Sequence, residues 1–228
     1  MISNTAKLTH PAVKSRLKRM MDVAGATAGL VAFSPVMAVC AGAIVTTMGR
    51  PIFFRQDRPG LGEEPFTMIK FRTMRQPKKN EVWYNSDKDR ITRLGRFLRK
   101  TSLDELPQFW NVLKGEMSLV GPRPLLTEYL DVFSERHRQR HTVKPGITGW
   151  AQINGRNQKS HSKRRDLDVW YVDHWSPTLD IRILVQTVTQ AFIGRDVTPA
   201  GSLSDVDDLG LEDALNTAND SHDEEPVR

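Results

Sequence analysis

The stretch VAGATAGLVAFSPVMAVCAGAIVTTMG, residues 23–49, carries no charged side chain over 27 positions. At ~1.5 Å of rise per residue, a helix of that length exceeds the ~30 Å of bilayer hydrocarbon. Its flanks are basic on both sides, with Lys14, Arg16, Lys18 and Arg19 before it and Arg50, Arg55 and Arg58 after it. A cleaved signal peptide fits poorly, because the basic leader is long and the apolar run exceeds a signal core. Pro35, following Ser34, lies near the middle, where it removes a backbone donor and crowds the carbonyl of Val31. Each arm is then only about 13 residues, roughly 20 Å, too short to cross alone. Basic residues at both ends give no orientation bias. The expectation is a membrane helix over residues 23–49 that enters, breaks at Ser34-Pro35 and returns. A kinked spanning helix is the alternative. Residues 1–22 read as a basic interfacial helix suited to an anionic membrane leaflet, or as a solvated charged terminus.

Charge is unevenly distributed over the remainder. The chain has 228 residues, 33 basic and 27 acidic, for a net charge of +6. Residues 202–228 hold nine acids and one Arg, leaving 32 basic against 18 acidic side chains, +14, on the rest. Such a body implies an anionic partner: nucleic acid, anionic lipid or a phosphorylated substrate. The acidic tail has few large apolar residues and is expected to be disordered, with a short helical stretch near residues 209–215. A single Cys40 excludes an intramolecular disulfide and any multi-cysteine metal site. The six His residues lack zinc-ligand spacing, so metal chemistry would use oxygen ligands.

Residues 50–201 read as one compact α/β domain (α+β, helix-rich). PIFFRQDRPG and PFTMIKFRTM resemble two strands joined by PGLGEE, a small hairpin. In DRITRLGRFLRKTS, Arg90, Arg93, Arg96 and Arg99 recur every three positions, with Ile91, Leu94 and Leu98 on another face: an amphipathic helix with one basic side. Further helices are expected at DELPQFWNVLKGEM, ended by Gly115, and at LLTEYLDVFSERHRQR, HSKRRDLDVWYVDHW and TLDIRILVQTVTQAFIG. A short strand is expected at residues 150–153.

The arginine ladder ends on two adjacent acids, in TSLDELPQFW, residues 101–110. Ser102 and Glu105 match a helix capping box, and Asp104 is a second candidate cap, favoured by Pro107. A cap needs one carboxylate, however, and here two lie beside an arginine-rich face. In the catalytic reading, cations keep Asp104 ionised to attack phosphorus, while Glu105 holds Mg²⁺, which screens the anionic phosphate. In SLVGPRPLL, Pro122 and Pro124 fix the backbone on both sides of Arg123, presenting its guanidinium with little entropy loss. A rigid surface loop is the plain alternative. Lys70 and Arg72 fall on one strand face at period two, and Arg156 sits among turn residues within reach of a phosphate or nucleotide.

The motifs FSPV, QDRPGL, KFRTM, SLDELPQFWNVLKGEMSLVGPRPL and KPGITGWAQINGRN resemble, in order, the bacterial sugar transferase family, specifically small monotopic polyprenyl-phosphate phosphoglycosyl transferases. The resemblance covers roughly residues 14–198 and implies the minimal catalytic form at the cytoplasmic face of the bacterial inner membrane. It implies transfer of a sugar 1-phosphate from a UDP-sugar to a polyprenyl phosphate, undecaprenyl phosphate in particular, with release of UMP. On this resemblance Asp104 is the nucleophile and forms a phosphosugar-aspartyl intermediate, and Glu105 is the Mg²⁺ partner. Lys70, Arg72, Arg99, Arg123 and Arg156 are assigned to phosphate or nucleotide contacts, Asp168 to a polar network around the site, and Ser34-Pro35 to the break of a re-entrant helix. The resemblance favours N-acetylated amino sugars as cargo for glycoprotein, O-antigen or capsule assembly, with a hexose-1-phosphate transferase of exopolysaccharide initiation as the alternative. Nucleic acid is not an expected partner. A membrane-tethered, non-catalytic anion-binding module would explain the +14 body, but it leaves the acid pair and the Pro-Arg-Pro segment without a purpose.

Overall fold

A computed structural model describes residues 9–76, 90–154 and 160–193. Arg156, the whole segment KKNEVWYNSDKD and the acidic tail lie outside the described residues. The chain enters through a short helix α1 (Pro11–Lys14), pauses at Ser15 in extended conformation, and continues as α2 (Arg16–Met48). The Ser15 hydroxyl accepts the Lys18 N–H at 3.2 Å, a side-chain N-cap that restarts the helix. The expected boundary at residue 22 is therefore absent, since the basic turn and the apolar run form one helix of 33 residues, about 50 Å long.

Nor is α2 interrupted at Ser34-Pro35. Proline removes the donor that would serve the Val31 carbonyl four residues back, and the Ser34 hydroxyl donates to that same oxygen at 2.8 Å. The neighbouring side chain repairs the defect, which accounts for a helix where a break is expected.

Two turns that looked suited to lipid instead turn inward. Lys18 is buried and donates to Asp180 at 2.7 Å and to the Val120 carbonyl at 3.0 Å. Asp180 also accepts from the Tyr171 hydroxyl at 2.7 Å and the Trp175 indole at 3.1 Å. Asp22, also buried, accepts from the Ser118 hydroxyl and the Leu119 N–H, both at 2.9 Å. The Arg19 guanidinium lies on the Val112 and Leu113 carbonyls, each at 2.7 Å. Gly29 leaves room for Phe109, whose ring would stand 2.8 Å from an added Cβ.

After α2, strands β1 (Phe53–Pro59) and β2 (Pro65–Phe71) form the expected antiparallel hairpin, pairing Phe54 with Lys70. The outer edge of β2 is closed by buried Asn111, which accepts from the Ile69 N–H at 3.1 Å and donates to the Thr67 carbonyl at 2.8 Å. Helix α3 (Arg93–Lys100) packs Leu98 with Cys40, Ile44 and Phe71, so the second half of α2 also rests on the domain. Helix α4 (Gln108–Lys114) follows, and Gly115 ends it at φ 88, a left-handed position suited to glycine.

Two local expectations change. The stretch after Pro124 is not one helix but a 3-10 turn at Thr127–Leu130, a short α5 (Glu135–Arg138) and another 3-10 turn at Gln139–Thr142. Ser134, extended and capping the His137 N–H at 3.2 Å, interrupts the pattern. The strand expected at residues 150–153 lies a few positions earlier: β3 (Ser118–Val120) and β4 (Gly146–Thr148) pair in parallel, and Trp150–Asn154 is helix α6. A Cβ at Gly146 would stand 2.1 Å from the Gly121 nitrogen, an approach that only glycine permits. Helices α7 (His161–Asp173) and α8 (Pro177–Ile193) complete the domain. The result is helix-rich α+β with two small sheets, as expected.

Replacing Lys18 with Met leaves Asp180 a buried carboxylate without its cation, a loss on the order of 3–5 kcal/mol. Thermal unfolding in detergent should show K18M strongly destabilised, with K18M/D180N recovering part of the loss.

Candidate active site

Lys70 leaves β2 beside the 3-10 turn Leu103–Glu105, which joins α3 to α4. The Lys70 ammonium meets Glu105 Oε1 at 2.9 Å. Arg123 reaches the same carboxylate, with Nη2 at 2.5 Å from Oε1 and Nη1 at 3.4 Å from Oε2. Ser102 precedes the turn with φ 57, in the left-handed region, so the chain reverses sharply out of α3. A non-glycine residue there stores strain of the sort that collects at functional sites.

The capping reading fails. Ser102 makes no side-chain cap bond, α4 begins behind Pro107 without one, and Asp104 sits inside the 3-10 turn. Asp104 is only 8% exposed, yet among the described residues no group donates a hydrogen bond to its carboxylate.

Electrostatics separate the two neighbours. Burial and then the adjacent Glu105 push the Asp104 carboxyl above its ordinary value, and Lys70, Arg99 and Arg123 pull it only partly back. For Glu105, burial acts upward as well, but Arg123 and Lys70 outweigh it and hold the group at about 2. The cations expected to keep Asp104 ionised therefore act chiefly on Glu105. Lys70 is itself lowered by burial, against the pull of Glu105.

Arg123 is fixed from behind. The Pro122 carbonyl accepts the Gly146 N–H at 2.9 Å, and the Arg123 carbonyl accepts from Arg140 Nη2. Arg140, 1% exposed, also donates through Nε to Asp168 at 3.1 Å and ion-pairs with it at 3.0 Å. Asp168 thus belongs to a buried network that ends on the backbone of Arg123. His141, pushed down to about 2 by burial and by Arg140 and Arg138, is neutral, and its Nε2 lies 3.3 Å from Arg140 Nη1. Sequence reasoning missed Arg140, because nothing in SERHRQRH distinguishes it from Arg136 or Arg138, which pair at the surface and with Glu63.

Arg99 donates through Nε to the Thr73 hydroxyl at 2.9 Å and contributes its charge at Asp104. A Cβ at Gly95 would sit 1.8 Å from the Thr73 carbonyl oxygen, so glycine brings α3 close enough for that contact. Arg72 does not join this cluster. β2 ends at Phe71, and the buried Arg72 guanidinium turns to the carbonyls of Met48 and Gly49, both at 2.6 Å, and of Arg50 at 3.1 Å. A cation there suits the negative end of the α2 dipole. Ser34 and Pro35 lie far along α2, and Arg156 is outside the described residues.

No group of three or more His, Cys, Asp or Glu side chains is placed to hold a metal among the described residues. Two adjacent carboxylates are nonetheless what Mg²⁺ takes from a protein when substrate phosphates and water complete its shell. Asp104, without a hydrogen-bond donor, fits that demand. Glu105 would have to leave Arg123 and Lys70 to do the same.

Comparison with known proteins adds the relationship. The "Uncharacterized sugar transferase EpsL" of Bacillus subtilis (strain 168) is 49% identical over 181 residues, covering 79% of this chain and 90% of that protein. The UDP-glucose:undecaprenyl-phosphate glucose-1-phosphate transferase of Escherichia coli (strain K12) is 41% identical over 193 residues, covering 80% of this chain and 42% of the relative. The UDP-N-acetylgalactosamine-undecaprenyl-phosphate N-acetylgalactosaminephosphotransferase of Aeromonas hydrophila is 38% identical over 186 residues, covering 78% and 44%. The chain thus spans less than half the length of the latter two. The family model described as bacterial sugar transferase matches residues 13–194. The acid pair, its cationic clamp and α2 all fall within that match, and the chain belongs to the bacterial sugar transferase family.

Proposed function

We propose that this chain transfers a sugar 1-phosphate from a UDP-sugar to undecaprenyl phosphate by two displacements at Asp104. The observation that carries the reading is the asymmetry of the acid pair: Glu105 is clamped by Lys70 and Arg123, whereas Asp104 is enclosed and has no hydrogen-bond donor among the described residues. In the first displacement an Asp104 carboxylate oxygen attacks the β-phosphorus. The phosphorus–oxygen bond to UMP breaks, and UMP leaves with the electron pair. In the second, a lipid phosphate oxygen attacks the phosphorus of the aspartyl-bound phosphosugar, and Asp104 departs as carboxylate. A covalent intermediate lets the soluble and the lipid substrate react one after the other. Arg123, Lys70 and Arg99 orient and neutralise the diphosphate. Mg²⁺, held by Asp104 and Glu105 with the diphosphate, would supply charge screening. The Aeromonas relative's name supports an N-acetylated amino sugar as cargo, and the E. coli relative's name supports the hexose alternative.

The setting we propose is the cytoplasmic face of the inner membrane, with α2 re-entrant. Both halves of α2 rest on the same domain, through Lys18 and Asp22 on one side and Cys40 and Ile44 on the other. Between Gly29 and Cys40 the helix is exposed except at partly buried Leu30 and Met37. That interval of ten residues, roughly 15 Å, is about half the hydrocarbon thickness.

Supplying Mg²⁺ and a panel of UDP-sugars should give UMP release from the native protein with at least one donor, and none from Asp104→Asn. Release without any phosphosugar bound at residue 104 would overturn the two-step route.

Stability and pH should separate the two acids. The raised Asp104 carboxyl means its ionisation opposes folding as pH rises, so Asp104→Asn should raise the melting temperature by a few degrees at neutral pH. The depressed Glu105 carboxyl adds stability that is present above its ordinary value of 4.5 and lost as pH falls towards about 2. Glu105→Gln should therefore lower the melting temperature. Activity should fall on the acid side through the raised Asp104 value, while Glu105 remains ionised.

Cysteines placed at exposed Met20 and Thr46, one on each side of the apolar interval, should both react only from the cytoplasmic side of intact cells. Labelling of either from the periplasm would instead support a spanning helix.

A further inference from the structure

Arg72 is the residue the sequence assigns to phosphate and the active site does not use. Its buried guanidinium gathers the Met48, Gly49 and Arg50 carbonyls, and its own N–H donates to the Ile52 carbonyl at 2.9 Å. It thereby shapes the turn where α2 gives way to β1. On the outside of that turn lies a depression of about 540 Å³, lined by Arg50, Pro51, Ile52, Phe53 and Arg55. That volume is in the range of ligand clefts. Its walls are mostly apolar, with two arginines on the lining, and among the described residues neither guanidinium has a hydrogen-bond or ion-pair partner.

We propose that this depression seats the lipid substrate, with the guanidinium groups of Arg50 and Arg55 on its phosphate and the first prenyl units against Pro51, Ile52 and Phe53. The inference rests on the transferase reading above and deepens it. Three observations select the occupant. The depression begins two residues beyond the end of the apolar helix, so a ligand anchored in the bilayer arrives there without leaving it. Two free guanidinium groups match a phosphate monoester, which carries about −1.5 to −2 at neutral pH, better than the single charge of a phospholipid diester. The inner wall is also continuous with the packing behind the acid pair: the Phe53 ring stacks on Phe71 at 5.5 Å, and both pack in the cluster that includes Leu103, the neighbour of Asp104. Arg72 acts here as a positioning residue, fixing the backbone that presents Arg50.

The test uses the full chain in phosphatidylcholine nanodiscs and reads two steps separately. A burst of UMP without lipid acceptor reports loading of the enzyme, and turnover against added undecaprenyl phosphate reports its acceptance. In R50Q/R55Q the acceptor KM should rise roughly tenfold or more while the burst keeps its rate and amplitude, and R50K/R55K should recover part of the loss. An unchanged acceptor KM, or a burst that falls in step with turnover, overturns the inference. Phosphatidylglycerol in the nanodiscs distinguishes the lipid sources. If it raises the native acceptor KM to that of R50Q/R55Q, the depression takes bulk headgroups and the inference fails. Absence of any burst from the native protein removes the transferase reading and this inference together, whereas a normal burst with unaltered acceptor KM removes this inference alone.

Discussion

The buried ion pair between Lys18 and Asp180, seconded by Asp22 on Ser118 and Leu119, sets the placement of everything else. Charged groups out of water are tolerated only with partners, and these partners sit on β3 and α8, deep in the domain. The first turns of α2 are thus part of the domain core rather than an appended anchor. With that end held, Phe109 fits against Gly29, and the far half of α2 settles on Leu98 and Phe71. The acid pair lies between α3 and α4, both of which touch α2, so the acid pair and the apolar helix share one frame.

Within that frame, the proposed chemistry rests on a difference between adjacent carboxylates. Glu105 takes up the positive charge of Lys70 and Arg123 and is held at about 2, while Asp104 keeps the burden of burial and of its neighbour's charge. A raised, unpartnered carboxylate is a better nucleophile than one neutralised by ion pairs. The network from Asp168 through Arg140 to the Arg123 carbonyl keeps the clamp on Glu105 in position.

Much of this was legible from local signals. The hairpin follows from alternation around a glycine turn, α3 from the spacing of Leu94 and Leu98, and the end of α4 from Gly115. Asp104, Glu105 and Arg123 were singled out by their neighbours in sequence, and the structure brings Lys70 and Arg99 to them. What failed was reading the fate of cations. Lys18, Arg19 and Arg72 look like surface charge in sequence, yet each is satisfied by backbone carbonyls or an acid many residues away, which composition does not reveal. Arg140 and Asp180 were invisible for the same reason. At Pro35 the helical pattern continues because a serine hydroxyl one residue earlier satisfies the carbonyl that proline leaves open.

The distance in sequence between Lys18 and Asp180, 162 residues, has a consequence for biosynthesis. At about 5–20 residues per second, Lys18 leaves the ribosome roughly ten to thirty seconds before its counter-ion is made. The apolar helix is already made while its leading turns still lack the acid that neutralises them. Its final seating therefore belongs to the end of translation, and a chain cut short before α8 holds Lys18 without its counter-ion.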